Sequence, residues 1–193
     1  MKIFDVIDGM SNVRRWSHAY CHKEEFVIEH TAIVALIALK IGMDIGANMD
    51  ILLKRALLHD MEEIITGDIP TPTKYANPGL LYEIREYEQE CAEKVSTAFG
   101  PWALECWEDA KDNTVEGDII KLADVAAVVY KINRELKLGN VFFEQYKENC
   151  WTALEKQKLD RDTNHKVIPY IVDFQNILIK GENDDNKTIT ELC

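Results

Sequence analysis

Three segments of the 193-residue chain set polar side chains with lone pairs into otherwise apolar runs. The first is Glu29-His30, followed by Thr31-Ala32-Ile33-Val34-Ala35-Leu36. The second is Leu57-Leu58-His59-Asp60-Met61-Glu62-Glu63-Ile64, and the third is Ile119-Ile120-Lys121-Leu122-Ala123-Asp124-Val125-Ala126-Ala127-Val128. One such histidine, taken alone, is more often a hydrogen-bonded helix residue than a ligand. Asp124 says more, because its helical neighbours three and four positions away are Ile120, Lys121, Ala127 and Val128, so it lies on or beside a buried face. A buried carboxylate must be paired, hydrogen-bonded or metal-bound. Together, His30, His59, Asp60 and Asp124 offer nitrogen and oxygen donors from three helices, a set suited to a divalent transition metal with room left for water or substrate. Such an ion lowers the pKa of a bound water and polarises a phosphoryl oxygen. Glu63 follows His59 by four residues and so shares its helix face, where a general base or a water-orienting group would be useful. Glu62 reads as part of a solvated acidic face.

Helices must hold these groups. Five prolines and nine glycines in the whole chain, with apolar residues at helical spacing through most of it, predict an all-α fold. The expected helices are Glu25–Met43, Asp50–Thr66 with Asp50 as N-cap, Gly79–Phe99, Trp102–Ala110, Gly117–Leu138, Val141–Leu159 and Lys166–Ile179. Gly67 to Thr73 holds a glycine and two prolines and reads as non-helical. Gly139-Asn140 reads as a C-cap and turn. No linker divides the chain, so residues 1–180 read as one helical bundle and 181–193 as a polar tail.

Composition narrows the function. Twenty-two basic against thirty-four acidic residues give a formal net charge of −12, which argues against a nucleic-acid or anionic-membrane partner. A small phosphorylated substrate remains compatible, since a few placed cations and a metal ion can hold it. The N-terminus lacks the apolar core of a signal peptide, and the longest apolar stretch, Thr31 to Leu39, is too short to span a membrane. The cysteines at 21, 91, 106, 150 and 193 are scattered and odd in number, which fits a reducing, cytoplasmic setting better than a disulfide framework.

The order His, then His-Asp, then a distant Asp resembles that of HD-domain metal phosphohydrolases. His30 and His59 stand 29 residues apart, and Asp124 follows Asp60 by 64. The longer string is more specific than the dipeptide. Arg15-Trp16, Glu29-His30, then His59-Asp60-x-x-Glu63-x-x-Thr66-Gly67-Asp68-Ile69-Pro70-Thr71-Pro72-Thr73-Lys74-Tyr75, then Ala123-Asp124, is similar to the bacterial 5′-deoxynucleotidases of the YfbR type. The likeness spans about residues 10 to 160 and is strongest over 57–75.

This resemblance implies an all-α, homodimeric HD-domain enzyme. It implies hydrolysis of deoxyribonucleoside 5′-monophosphates to deoxynucleoside and phosphate, with cobalt, manganese or copper as the divalent metal. It implies His30, His59, Asp60 and Asp124 as metal ligands, with Asp60 and Asp124 also beside the substrate. Arg15 then orients the phosphate, Trp16 meets the substrate, and Asp68, Ile69, Pro70 and Thr71 line the nucleotide. Glu63 is the acid beside the attacking water, and Asp68 is a candidate donor of the leaving group's proton. Arg offers a planar fork for phosphate oxygens, and Trp offers an apolar face to a sugar or base. One stretch departs from the family, which often has Arg-Thr-Glu-Asn-Val before Glu-His. Here Glu25 and Val27 match, but Lys23 replaces Arg and Phe26 replaces Asn. Two other readings stay open: a deoxynucleoside triphosphate triphosphohydrolase using Arg14, Arg15, Lys23 and Lys74 as cations, and a non-catalytic HD domain that binds a nucleotide or a partner.

Overall fold

The apolar spacing resolves into helix after helix in a computed structural model that describes residues 1–161 and 165–180. No strand forms among the described residues, and a single antiparallel bridge pairs Arg14 with Phe26. The chain divides into two compact units, Met1–Ala127 and the part that begins at Val128.

The first unit carries α1 (Ile3–Asn12), α2 (Val27–Ile45), α3 (Met49–Leu58), α4 (Glu63–Thr66), α5 (Thr71–Lys74), α6 (Pro78–Ser96), α7 (Pro101–Glu108) and the start of α8 (Val115–Lys137). In α2 the buried side is Val27, His30, Thr31, Val34, Ala38, Ile41 and Gly42, a helical stripe that contains the first histidine. At its start the Phe26 N–H donates to Glu29 Oε2 at 3.2 Å. At Gly42 there is no room for a side chain, because a Cβ would collide with Leu52 of α3.

Asn48 caps α3, its side chain accepting from the Ile51 N–H. Asp50, expected as the cap, lies inside the first turn, where its carboxylate meets the positive helix end and pairs with Lys54 at 2.7 Å. The expected helix Asp50–Thr66 does not run through. After Leu58 the chain makes tighter turns, Met61 N–H to the Leu58 carbonyl at 3.1 Å and Glu63 N–H to the Asp60 carbonyl at 3.2 Å, before α4 starts. Glu63 therefore does not share a helix face with His59. The core explains the break: Leu58 and Met61 are both buried in one apolar cluster with Val6, Met10, Val27, Ala92, Val95 and Ala103. Each large apolar side chain so buried stabilises by about 1.5–3 kcal/mol, and the two bracket His59-Asp60 like clamps.

Two further elements differ from the sequence reading. An additional helix, α1, precedes those expected and lays Val6 and Met10 into that cluster. The segment read as wholly non-helical holds α5, whose Pro72 sits in the first turn, where a missing N–H leaves no bond unmade. Gly67, at φ +71°, makes the turn that precedes it.

The second unit holds the remainder of α8, a 3₁₀ helix (Val141–Tyr146), α9 (Lys147–Leu159) and α10 (Ile168–Lys180). The sequence reading joined the 3₁₀ segment to α9. Lys131 is buried and donates to Glu135 at 2.7 Å, while Asn140 donates to the other Glu135 oxygen at 2.8 Å. Gln175 of α10 donates to Glu155 of α9 at 2.7 Å. The expected tail, 181–193, lies outside the described residues. No helix among those described is long and apolar enough to cross a membrane.

Candidate active site

Three of the four expected donors, His30, His59 and Asp60, form one compact group, and Asp124 reaches it through His30. His30 comes from α2, His59 and Asp60 from the tight turns after α3, and Asp124 from α8. His30 Nε2 stands 3.1 Å from Asp124 Oδ1 and 3.5 Å from Asp60 Oδ2, and His59 Nε2 stands 3.1 Å from the same Asp60 oxygen. Donor atoms of His30, His59 and Asp60 all lie within 4.8 Å of one another. His59 Nδ1 lies 2.8 Å from the Ala56 carbonyl, which makes Nδ1 the donor and leaves the Nε2 lone pair facing inward. Both Nε2 atoms are buried and neither has a hydrogen-bond partner of acceptable geometry. Buried nitrogen atoms without partners are costly, and a divalent ion is the species that such a nitrogen–oxygen set accommodates. Ligand atoms around one ion of about 2.0–2.2 Å bond length stand about 3–4 Å apart, and the His–Asp separations of 3.1, 3.5 and 3.1 Å fall in that range.

Electrostatics point the same way for His30, Asp60 and Asp124, whereas for His59 burial is outweighed by Asp60, which raises its pKa. Burial, reinforced by Arg15, lowers His30 to a pKa of about 4, so its imidazole is neutral near neutral pH. Burial would raise Asp60, but His59 and Lys111 outweigh it and hold the carboxylate below its usual range. Asp124 is likewise held ionised against its burial by Lys111 and His30.

Arg15 enters from the stretch between α1 and α2. That stretch closes on itself: the Arg15 N–H donates to the Glu25 carbonyl at 2.9 Å and the Val27 N–H to the Val13 carbonyl at 3.0 Å. One Arg15 Nη1 lies 3.2 Å from Asp60 Oδ2 and 3.4 Å from Glu63 Oε2. Its Nε lies 3.5 Å from Glu25, and Asp68 is 3.8 Å away. Glu63 is buried, and burial together with Asp60 raises its carboxyl well above the usual range. A carboxyl raised in this way is a common feature of groups that exchange protons at a site.

Trp16 is nearly buried and takes a left-handed backbone, φ +60°. Its N–H donates to Asp68 Oδ2 at 3.0 Å, and its ring stacks on His18 at 5.9 Å between centroids. Asp68 thus lies at the site, joined to Arg15-Trp16. Ile69 and Pro70 are partly buried and Thr71 is exposed, and the Pro70 and Thr71 carbonyls accept the bonds of α5. Ile69 and Pro70 lead from Asp68 into α5, which Thr71 begins.

Three groups at the site have no functional place in the sequence reading. Glu62 is buried, not solvated, and its Oε2 accepts the Trp107 indole N–H at 2.6 Å. Burial and Asp60 raise its pKa to about 7. The flanking apolar residues Leu58 and Met61 were the available signal. Glu25 is buried against Arg15 and is the family-matched acid of a stretch otherwise noted for its departures. Lys111, from the turn after α7, donates to Asp124 Oδ2 at 2.6 Å, and no motif residue announces it. Desolvation would lower its ammonium's pKa, but Asp124 and Asp60 raise it.

Comparison with known proteins agrees with this geometry. The family model "5′-deoxynucleotidase YfbR-like" matches residues 2–166. A 5′-deoxynucleotidase of Photorhabdus laumondii is 34% identical over 171 residues, 82% of this chain and 83% of its own length. An HD-domain phosphohydrolase of Listeria innocua, 26% identical, superposes with a TM-score of 0.66 over 93% of this chain and 99% of its own. The cyanophage S-2L HD phosphohydrolase DatZ, solved with dA and one catalytic Zn²⁺, has a TM-score of 0.59 over 93% of this chain and 98% of its own. At 21% identity, that last likeness is one of fold.

Proposed function

This chain belongs to the YfbR-like 5′-deoxynucleotidase family, and from that premise we propose that it hydrolyses deoxyribonucleoside 5′-monophosphates to deoxynucleosides and phosphate, using His30, His59, Asp60 and Asp124 as ligands of a divalent transition metal. The observation that carries the reading is the pair of buried, partnerless Nε2 atoms facing two carboxylates. An ion held there polarises a phosphoryl oxygen and makes water a better nucleophile. Cobalt or manganese suits these donors, and the zinc of the DatZ structure is a third candidate.

The chain's own residues do the rest. Arg15 orients the phosphate, its Nη1 poised between Asp60 and Glu63. Glu63 aligns the attacking water and accepts its proton. Asp68 holds Trp16 at the substrate side and faces the sugar with Ile69, Pro70 and Thr71 beside it. A monophosphate is favoured over a triphosphate by charge. Arg14 pairs with Glu24 at 3.4 Å, Lys23 with Glu29 at 4.0 Å and Lys74 with Glu88 at 2.8 Å, so the extra cations considered are matched by acids. Retention of Glu63, buried beside Arg15, supports catalysis over mere binding.

The reading includes a homodimer in the cytoplasm, with no nucleic-acid or membrane partner. Exposed Leu36, Leu39 and Met43 at helical spacing on α2 support a self-association face. The thiols of Cys91, Cys106 and Cys150, which enter no disulfide, suit a reducing compartment. The net charge of −12 supports a small-molecule substrate.

Product analysis tests the reading. The metal-stripped protein is reloaded with cobalt or manganese and given deoxy- and ribonucleoside mono- and triphosphates. Orthophosphate from deoxymonophosphates, lost in Asp60→Ala, is expected. Triphosphate released from a deoxynucleoside triphosphate would overturn the substrate assignment, and no turnover with metal bound would overturn the enzymatic one.

A further inference from the structure

Arg15 has little charge to spare for a substrate. Glu25, Asp60, Glu63 and Asp68 lie between 3.2 and 3.8 Å of its guanidinium, and its side chain is only 12% exposed. A phosphate monoester near neutral pH carries close to two negative charges, so acids crowded round one arginine repel it unless another cation contributes.

Lys111 is placed to be that cation. Its ammonium meets Asp124 Oδ2 at 2.6 Å, while Asp124 Oδ1 faces His30 Nε2 at 3.1 Å. One carboxylate thus lies between a metal-donor nitrogen and an ammonium. Apart from Arg15, which meets Asp60, neighbouring cations such as Lys74 and Lys121 pair with acids outside the donor set, Glu88 and Asp118. Once Asp124 gives its charge to a divalent ion, the ammonium of Lys111 is left uncompensated at the edge of the site. Its side chain is 40% exposed, so an incoming anion can reach it.

The backbone beneath Lys111 is fixed. Arg55 holds Asp109 at 3.2 Å and Asp112 at 3.1 Å, on either side of it, and Lys121 donates to the Asp112 carbonyl at 2.7 Å. A steady base with a flexible four-carbon stem and three rotatable donors suits an oxygen that moves during phosphoryl transfer.

We propose that Lys111 is a second cation for the substrate's phosphoryl group, acting beside Arg15. This rests on the phosphomonoesterase reading, and the experiment separates the two. Wild type, Lys111→Ala and Lys111→Arg are compared by Co²⁺ titration followed in visible absorption, by calorimetric binding of inorganic phosphate to the cobalt-loaded protein, and by KM and kcat on a deoxynucleoside monophosphate. Loss of one charge-assisted contact is expected to weaken phosphate binding and raise KM by about 10- to 100-fold in Lys111→Ala. Lys111→Arg recovers most of the loss, and Co²⁺ affinity stays unchanged in both variants. If Co²⁺ affinity falls while phosphate affinity at saturating cobalt holds, Lys111 merely positions Asp124 and the proposal is overturned. Unchanged phosphate affinity and KM also overturn it, with the enzymatic reading intact. Phosphate binding that depends on Lys111 in a wild type that turns over no nucleotide supports the contact and sinks the enzymatic reading instead.

Discussion

Asp68 accepts a hydrogen bond from the backbone N–H of Trp16 at 3.0 Å, across 52 residues of sequence. Trp16 has φ +60°, a conformation that a bulky side chain adopts at a cost of about 1–3 kcal/mol. The Asp68 carboxylate is therefore a brace for the Arg15-Trp16 corner as well as a candidate contact for the sugar. Asp68→Ala is expected to raise KM for a deoxynucleoside monophosphate by about tenfold or more through loss of a charged-acceptor bond. Asp68→Asn keeps an acceptor for the Trp16 N–H and is expected to lose less. Steady-state kinetics on matched deoxy and ribo substrates check this. Equal losses in both variants would mean that the brace contributes nothing.

Glu62 and Trp107 provide an internal pH reporter. Burial and Asp60 lift the Glu62 carboxyl from 4.5 to about 7, and the indole N–H of Trp107 bonds it at 2.6 Å. The folded protein keeps this proton to higher pH than the unfolded chain does. Stability that is present below pH 4.5 is therefore lost as pH rises toward 7, by up to about 3 kcal/mol for this group. Glu62→Gln is expected to flatten that decline in urea midpoints measured across pH. The tryptophan fluorescence of metal-free wild type should titrate with a midpoint near 7, and added Zn²⁺ should move the midpoint down through its charge beside Asp60. A pH-independent difference between the two proteins would refute the assignment.

Removing the metal should loosen the first unit. His30 comes from α2, His59 and Asp60 from the turns after α3 and Asp124 from α8, so an ion held by them would tie together segments far apart in sequence. Ligand linkage adds about 2.7 kcal/mol at a free ion concentration one hundred times the Kd. Differential scanning fluorimetry is expected to show a lower Tm after chelation, restored by Co²⁺ or Mn²⁺. Asp60→Ala should abolish the restoration. Melting unaffected by chelator would count against an ion bridging these elements.

Much of the site was legible because its residues break an apolar pattern. A histidine within Val27–Ile45 and an aspartate within Val115–Lys137 stand out against neighbours that must be buried; His30, His59 and Asp60 group together, and Asp124 stands against His30. Local spacing misled where the tertiary core overrode it. Burying Leu58 and Met61 together replaces continuous helix with tight turns, which separates Glu63 from the His59 face and buries Glu62. Lys111 was illegible for a different reason. It lies in a turn with no periodicity, and only the fold brings that turn to Asp124.

Arg55 is the group that holds that turn, and its removal is expected to be felt twice. Its Nη1 donates to Asp112 Oδ2 at 3.1 Å and to Thr114 Oγ1 at 3.2 Å, and its Nη2 donates to Asp109 Oδ2 at 3.2 Å. Arg55 is buried, while Asp109 is about half exposed. Arg55→Ala leaves Asp112 without its cation and opens a gap beside α3, but water can reach Asp109. The expected cost is therefore about 2–3 kcal/mol, below that of breaking a fully buried pair. Arg55→Lys carries the charge but not the planar fork, so it can meet one carboxylate and not both, and should recover only part. Burial opposes ionisation of Asp112, but Thr114 and Arg55 hold its pKa below the usual value, so its contribution is present at neutral pH and lost as pH falls through the acidic range. The gap between wild type and Arg55→Ala should therefore narrow at low pH in urea denaturation. Because the same clamp seats Lys111, phosphate affinity should also fall in Arg55→Ala at a temperature where the variant is still folded. A stability loss with phosphate affinity untouched would mean that the turn keeps its shape without the clamp.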